Sequence, residues 1–152
     1  MSKLGSSDNP LKVAIVGAGP SGFYAADALI NSDLKVEVNL IEKLCAPYGL
    51  VRTGVAPDHP LIKKSIEKFA VMAEPEEFNY FGNVSVGKDI TVDDLKETHH
   101  AVIITMGAET DRKLGIPGED LKGSHTATEF VAWYTDTQNI EKENSIFLMK
   151  LL

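Results

Sequence analysis

Two unbroken apolar runs are the strongest feature of the hydrophobic pattern along the chain. Residues 13–16 read VAIV and residues 101–105 read AVIIT. Strands that are buried on both faces are apolar at every position, so each run predicts a central strand of a parallel sheet. Residues 35–41 (KVEVNLI) predict a further strand, and residues 78–87 (FNYFGNVSVG) predict a short accessory β segment.

The segments between these strands carry the period of amphipathic helices. Residues 23–30 predict one helix, with Pro20 near its start, where a missing N–H costs no hydrogen bond. Residues 61–73 predict a second helix that exposes three lysines. Its predicted buried face comprises Leu61, Ile62, Ile66, Phe69, Ala70 and Ala73. Thr91 and Thr126, each followed three positions later by an acidic residue, predict the starts of two further helices.

A glycine pattern follows the first apolar run at the spacing G-x-G-x-x-G, with Gly17, Gly19 and Gly22. These glycines suit a tight turn, a close approach of a pyrophosphate, and close packing of helix on strand, respectively. Glu42 lies 20 residues after Gly22, where a carboxylate can accept hydrogen bonds from a ribose. Because its charge repels a 2′-phosphate, the pattern predicts the ADP half of FAD or NAD rather than NADP. The alternative is a structural glycine turn with an unrelated surface glutamate.

Residues 43–60 contain three prolines and two glycines without a regular period, which predicts a long irregular loop. Its apolar residues favour a segment that wraps a ligand over a disordered one. Arg52 and His59 are its candidate polar contacts, with a salt bridge and a helix cap as the respective alternatives. Gly107, after the second apolar run, either lets the backbone approach a cofactor or simply ends the strand.

Composition narrows the class of protein further. The 152 residues suit one domain, and a net charge of −7 argues against a general nucleic-acid binder. Cys45 is the single cysteine, so an internal disulfide framework is excluded, and no metal site is predicted. No apolar run has the length of a membrane span, and residues 1–10 resemble neither a secretory signal nor a mitochondrial presequence. Those residues are polar and predict a disordered lead-in.

Seven motifs in order are similar to the adrenodoxin reductase type of ferredoxin–NADP⁺ reductase: VAIVGAGPSGFYAADAL, IEK, APYGLVRTGVAPDHP, FGNVSVGKDIT, AVIITMGA, IPGEDLKG and FVAWY. The resemblance covers about residues 12–134. It implies an α/β, Rossmann-like FAD-binding domain over residues 11–134, with a parallel central sheet and a small accessory β segment. Residues 135–152 would then begin a second, NADP-binding domain, so the chain is expected to be incomplete relative to the family.

The resemblance also implies roles for particular residues. The ADP half of FAD would lie on the glycine turn, with Glu42 on the ribose and Lys43 beside it. His59 matches a family histidine near the isoalloxazine, with a part in proton relay. The other implied cofactor-binding residues are Gly17, Gly19, Pro20, Ser21, Gly22, Leu50, Val51, Val86, Gly107 and Ala108.

The function implied by the resemblance is transfer of electrons from NADPH, through FAD, to a ferredoxin-type iron–sulfur protein. The family's second glycine-rich domain and its returning segment find no counterpart here, and the tail from about Asp136 does not match. The alternatives are therefore a non-catalytic dinucleotide-binding module, or an inactive fragment that needs a missing domain or partner chain. A monomer in the cytoplasm is expected, with the mitochondrial matrix as the alternative compartment.

Overall fold

The computed structural model describes residues 3–55, 59–108 and 111–134. They form a four-stranded sheet in the order β3-β2-β1-β4, with every neighbouring pair parallel. The strands are β1 (Leu11–Val16), β2 (Val36–Ile41), β3 (Phe78–Phe81) and β4 (Ala101–Ile104). The predicted α/β class with a parallel central sheet is therefore confirmed.

The described part of the chain contains six helices, of which the first five lie between strands and the sixth follows β4. They are α1 (Pro20–Ile30), α2 (Gly49–Thr53), α3 (Pro60–Lys63), α4 (Ser65–Met72), α5 (Val92–Thr98) and α6 (Ala127–Tyr134). Helix α1 forms the crossover between β1 and β2, and α5 precedes β4. Parallel strands need such crossovers because a tight hairpin cannot join them.

Strand β1 lies in the middle of the sheet because it pairs with β2 on one side and β4 on the other. In these two registers Ile15 lies opposite Leu40 and Ile103. On one face of the sheet, the larger core cluster includes Phe23 of α1 and Phe69 of α4, whose ring centroids lie 5.2 Å apart. On the opposite face, the smaller core cluster includes Leu95 of α5. Both faces of β1 are thus removed from water.

The capping pattern at α5 forms as predicted. The backbone N–H of Asp94 donates to the Thr91 hydroxyl at 3.1 Å, and the backbone N–H of Thr91 donates to the Asp94 carboxylate at 2.9 Å. Thr126 and Glu129 make the same reciprocal pair at the start of α6. Local side-chain chemistry was sufficient to predict both helix starts.

The predicted helix over residues 61–73 is wrong in two respects. It is interrupted at Lys64, which separates α3 from α4. Leu61 and Ile62, predicted to be buried, are 80% and 51% exposed, and Ala70 is exposed as well. Met72 is buried instead. The periodicity located the helical segment correctly, but how much of its apolar face finds a partner depends on tertiary packing.

Three further expectations differ from the structure. The predicted loop over residues 43–60 contains a helix, α2, whose five residues were too short to give a periodic signal. The second apolar run forms β4, which pairs only with β1 among the described residues, so it is not a central strand. Residues 3–9 are ordered by a turn, and Lys35 donates its backbone N–H to the Gly5 carbonyl at 2.9 Å. Polar composition did not reveal these backbone partners.

Candidate nucleotide-binding site

The glycine turn joins β1 to α1 at the carboxyl edge of the sheet. Gly17 has a φ of 106°, and a Cβ there would lie 2.7 Å from the backbone of Thr105 and Met106. A Cβ on Gly22 would lie 2.1 Å from the Gly17 carbonyl oxygen. Both positions therefore exclude any larger residue. Gly19 differs, because nothing lies within 4 Å of a Cβ placed there. The structure thus leaves open space at the one glycine assigned to the pyrophosphate.

Thr105 fixes the geometry of this turn. Its hydroxyl lies 3.0 Å from the Val16 carbonyl oxygen and 2.9 Å from the Gly17 carbonyl oxygen, within hydrogen-bond distance of both. Its backbone N–H also donates to the Val16 carbonyl at 2.7 Å. Sequence reasoning missed this role, since a threonine that ends an apolar run gives no sign of the carbonyls it will meet.

Glu42 follows β2 and lies beside the glycine turn, where the spacing placed it. One carboxylate oxygen accepts from the backbone N–H of Ala18 at 2.8 Å, and the other accepts from the backbone N–H of Leu44 at 3.1 Å. The side chain is half-buried. These two bonds fix the carboxylate at the entrance of the turn, and each oxygen keeps a lone pair for a further donor.

A second wall of the cleft comes from the segment that leads into α2. The backbone N–H of Tyr48 donates to the Ala18 carbonyl at 2.8 Å. A Cβ on Gly49, whose φ is 48°, would lie 2.9 Å from the Cα of Gly19. The predicted wrapping loop therefore does approach the glycine turn. Its closest residues, Tyr48 and Gly49, were not among those singled out, and the PYG sequence with its turn-forming glycine was the only signal for them.

A cavity of 280 Å³ opens next to Glu42. Its lining residues are Lys43, Leu44, Asn83, Ser85, Lys88 and Asp89. Val86 lies close by, in an isolated bridge with Ile90, and packs against the smaller core cluster. Tyr80 supports the cavity from the strand side by donating to the Leu44 carbonyl at 3.3 Å. Burial, together with the charge of Glu42, raises the pKa of Tyr80 to about 12, so its phenol stays protonated.

The remaining predicted residues lie at the same edge or on its rim. Gly107 has a φ of 69° with open space around it, and Ala108 after it is exposed. Val51 is buried in the larger core cluster, whereas Leu50 is 68% exposed. Val51 therefore reaches a ligand only through its backbone.

The two candidate polar contacts of the loop are both exposed. Arg52 donates to the Pro47 carbonyl at 2.9 Å and its guanidinium lies 5.1 Å from the centre of the Tyr48 ring. His59 precedes α3, and its backbone carbonyl accepts from Ile62 and Lys63. Its side chain makes no capping hydrogen bond, so the cap alternative holds for its backbone only. Residues 56–58 lie outside the described part of the chain, as do the side chains of Trp133 and Tyr134.

The N-terminus of α1 completes the site. No side chain caps this helix, its first turn carries no acidic residue, and Pro20 occupies its first position. Its leading N–H groups and the positive end of its dipole therefore point toward the open space at Gly19. This arrangement suits the two charges of a pyrophosphate.

Comparison with known proteins identifies the family of this chain. The sequence pattern of the pyridine nucleotide-disulphide oxidoreductases matches residues 11–146. The chain belongs to this family. Among curated relatives, the mitochondrial NADPH:adrenodoxin oxidoreductase of Salvelinus fontinalis is 50% identical over 123 residues, which are 81% of this chain and 25% of that protein. The NADPH-ferredoxin reductase FprA of Mycobacterium leprae is 47% identical, over 87% of this chain and 30% of that protein.

A solved structure is similar to this chain over most of its length. Mycobacterium tuberculosis FprA in complex with NADPH matches with a TM-score of 0.81 and 48% identity, over 85% of this chain and 30% of that chain. The resemblance to the adrenodoxin reductase type is thereby confirmed. This chain spans about a quarter to a third of the length of these relatives.

Two features were sought and not found among the residues that the structure describes. These residues contain no group of three or more histidine, cysteine or carboxylate side chains that could hold a metal ion. Nor do they include a helix with the length and apolar character needed to cross a bilayer.

Proposed function

We propose that this chain binds the ADP part of FAD at the glycine turn and forms the flavin-binding part of an NADPH-dependent reductase of an iron–sulfur protein. The open space at Gly19, in contrast to the filled space at Gly17 and Gly22, is the observation that supports it most strongly. A purely structural glycine turn has no reason to leave one glycine facing empty space at the start of an uncapped helix.

Each part of the cleft has a task in this proposal. The first N–H groups of α1, at Ser21 and Gly22, donate to the pyrophosphate, and Gly17 and Gly19 let it approach. Glu42, already fixed by Ala18 and Leu44, accepts from the ribose hydroxyls. The cavity beside Lys43 receives the adenine end, with backbone contacts from Val86.

The flavin end would lie along the other rim of the cleft. Leu50 and Val51 would flank it, and Gly107 with Ala108 would pass close to it. FAD supplies the ability to take a hydride and to release electrons one at a time. His59 is proposed to hold or pass a proton near the ring, which agrees with its position on the loop that reaches the glycine turn.

The names of the relatives support the proposed reaction, since they are NADPH:adrenodoxin and NADPH-ferredoxin reductases. A ferredoxin-type partner, a monomeric state and a cytoplasmic location are proposed with it. The mitochondrial matrix is the alternative, because mitochondrial relatives match as well as mycobacterial ones. NADP is proposed to bind in the parts of the longer relatives that this chain does not span.

A second candidate is a dinucleotide-binding module that does not catalyse the reaction by itself. The observation that favours it is the coverage, since the match spans only 25–30% of each relative. We therefore expect FAD binding by these 152 residues, but little NADPH oxidation without further protein. NADPH-dependent ferredoxin reduction by the isolated chain would contradict this second expectation.

The test is a titration of the purified chain with FAD, NAD and NADP⁺, followed by flavin fluorescence and melting temperature. FAD should raise the melting temperature most, because a ligand that binds only the folded state stabilises it. Gly19→Ala should weaken FAD binding at least about tenfold, since a Cβ fills the space for the pyrophosphate. Its melting temperature without ligand should stay unchanged, because the φ of −81° suits alanine and no atom is within 4 Å.

Glu42→Gln, compared with Glu37→Gln in β2, the strand that Glu42 follows, tests the ribose contact. Glu37 forms a surface ion pair with Lys12 at 3.5 Å, so its loss should leave FAD binding unchanged. Glu42→Gln should weaken FAD binding by about tenfold, because a charge-assisted hydrogen bond is lost. A chain that takes up no FAD, or equal effects at the two glutamates, would refute the proposal.

A further inference from the structure

The peptide unit between Gly17 and Ala18 is held at both of its ends. Its carbonyl oxygen, on Gly17, lies 2.9 Å from the Thr105 hydroxyl. Its N–H, on Ala18, donates to the Glu42 carboxylate at 2.8 Å. Because a peptide unit is planar and trans, its C=O and N–H point in opposite directions, and the orientation of one fixes that of the other. Thr105 and Glu42 therefore hold the same plane from opposite sides.

This peptide unit needs such a hold because it follows a glycine. Gly17 cannot be a larger residue, since its φ is 106° and a Cβ there would lie 2.7 Å from the backbone of Thr105 and Met106. A glycine, however, leaves the backbone around it the widest choice of conformations. Gly17 thus makes the turn possible but does not by itself decide which way its carbonyl points.

The Thr105 hydroxyl is placed to decide it. The hydroxyl has one proton and two carbonyl oxygens within reach, on Val16 at 3.0 Å and on Gly17 at 2.9 Å. The Val16 oxygen already accepts from the backbone N–H of Thr105 at 2.7 Å. Gly17 is buried, and in the described part of the chain no backbone N–H donates to its oxygen. A buried carbonyl without a donor is costly, so the hydroxyl proton is needed at Gly17.

A rotated peptide unit would impair the cleft. The Gly17 carbonyl would then face the Glu42 carboxylate, and the two oxygens would repel each other. Ala18 is fully buried, so its N–H would lose its acceptor without gaining water in exchange. Glu42 would keep the bond from the Leu44 N–H at 3.1 Å but lose the bond that positions its second oxygen. The position of the Glu42 carboxylate therefore depends on the orientation of this one peptide unit.

We infer that Thr105 is a positioning residue for the nucleotide: its hydroxyl orients the Gly17–Ala18 peptide unit, which holds the Glu42 carboxylate where it meets the ribose. The role in nucleotide binding rests on the proposed function, whereas the hold on the peptide unit does not. Thr105 directly follows β4. The edge strand of the sheet thus contributes to the site through a residue that acts by way of Glu42.

The first measurement is amide hydrogen exchange in the ligand-free chain. Thr105→Val keeps the branched shape and removes the hydroxyl. It should speed exchange of the Ala18 amide at least about tenfold, because the amide no longer has a fixed acceptor. The Ile15 amide in β1 should exchange as in the unmodified chain, and Thr105→Ser, which keeps the hydroxyl, should restore slow exchange at Ala18. An unchanged rate at Ala18, or an equal increase at Ile15, would overturn the inference.

The second measurement is the affinity for FAD, followed by flavin fluorescence. Thr105→Val should weaken binding about fivefold, because the carboxylate that accepts from the ribose is no longer held in place. Thr105→Ser should stay within about twofold of the unmodified chain. In the Glu42→Gln background, Thr105→Val should weaken binding less than about twofold, since the carboxylate that it positions is already absent. Equal losses in the two backgrounds would mean that Thr105 acts independently of Glu42, and the inference would be wrong.

The matched control is Thr98→Val. The Thr98 hydroxyl also donates to a backbone carbonyl, that of Asp94 at 2.8 Å, but it does so in α5 and not at the glycine turn. Its loss should leave FAD affinity and Ala18 exchange within about twofold of the unmodified values. Effects as large as those of Thr105→Val would show that any lost hydroxyl loosens the fold, which would overturn the inference.

Two further arms keep the outcomes separate. If Thr105→Val does not fold, Thr105→Cys takes its place with the same expected directions, because a thiol is similar in size and only a weak donor. If the unmodified chain takes up no FAD, the proposed function fails. The exchange rate of the Ala18 amide then decides by itself whether Thr105 holds the peptide unit.

Discussion

Strands β1 and β4 have nearly the same apolar sequence but very different surroundings. Ile15 of β1 is fully buried, whereas Ile104 of β4 is 51% exposed. Strand β1 has a paired strand on each side and helices over both faces. Among the described residues β4 pairs with β1 alone, and large side chains beyond it, such as Met106 and Leu114, are also exposed.

The comparison teaches what an apolar run specifies and what it leaves undetermined. The run specifies a strand that is able to be buried on both faces. The number of strands and helices that then cover it depends on residues far away in the sequence. We call β1 with the helices packed on it the β1 region, and β4 with the loop after it the β4 region. The β1 region is consequently the firmly packed support of the nucleotide cleft, and the β4 region contributes one edge of the cleft.

The largest expected effect separates the glycines that follow these two strands. Gly22→Ala should lower the free energy of unfolding by more than about 4 kcal/mol, because its Cβ would lie 2.1 Å from a backbone oxygen that cannot move alone. Gly107→Ala should lower the free energy of unfolding by only about 1–2 kcal/mol. The new Cβ meets no atom, and the loss comes only from the left-handed backbone conformation. Urea unfolding of the ligand-free chain measures the free energy of unfolding of both variants. Equal losses would show that the two turns are equally constrained.

The next comparison tests the two strands themselves. Ile15→Ala should cost about 3 kcal/mol, since it opens a cavity in the larger core cluster. Ile104→Ala should cost less than about 1 kcal/mol, because half of the side chain is already in water. The same urea measurement applies. A large loss at Ile104 would mean that β4 is covered in solution by protein that the described residues do not include.

Sequence reasoning succeeded where the physics is local. The glycine spacing, the distance from Gly22 to Glu42, and the capping pair of Thr91 and Asp94 each depend on a few neighbouring residues. The parallel sheet followed from the apolar runs. For Glu42 the structure adds what spacing alone did not contain, namely the hydrogen bonds to Ala18 and Leu44 that hold its carboxylate.

Sequence reasoning did not succeed where residues from distant segments of the chain meet. The Thr105 hydroxyl lies against carbonyls almost 90 positions earlier in the chain, and Gly49 lies against Gly19 from a separate loop. The break at Lys64 and the exposure of Leu61 likewise depend on where neighbouring helices end. No period or spacing within one segment carries such information, which is why the second wall of the cleft was missed.

The smallest expected effect concerns two carboxylates, that of Asp94 in α5, which is exposed, and that of Glu119 in the loop after β4, which is half-buried. Hydrogen bonds from the side chain and backbone of Thr91 hold the pKa of Asp94 below its ordinary value, next to the buried Leu95 of α5. Backbone N–H groups of Leu114 and Gly115 hold the pKa of Glu119 below its ordinary value in the loop after β4. A group whose pKa is lowered by folding stabilises the fold when it is ionised. That contribution is present above its unfolded pKa and is lost as the pH falls through its folded pKa.

Asp94→Asn should therefore lower the free energy of unfolding slightly at pH 7, and the difference from the unmodified chain should vanish in acid. Glu119→Gln should leave global unfolding unchanged, because the exposed loop can open while the sheet stays folded. It should instead speed hydrogen exchange of the Leu114 and Gly115 amides at neutral pH. If Glu119→Gln lowered global stability as much as Asp94→Asn, the loop would unfold together with the sheet. The contrast between a firmly packed β1 region and a loosely attached β4 region would then be wrong.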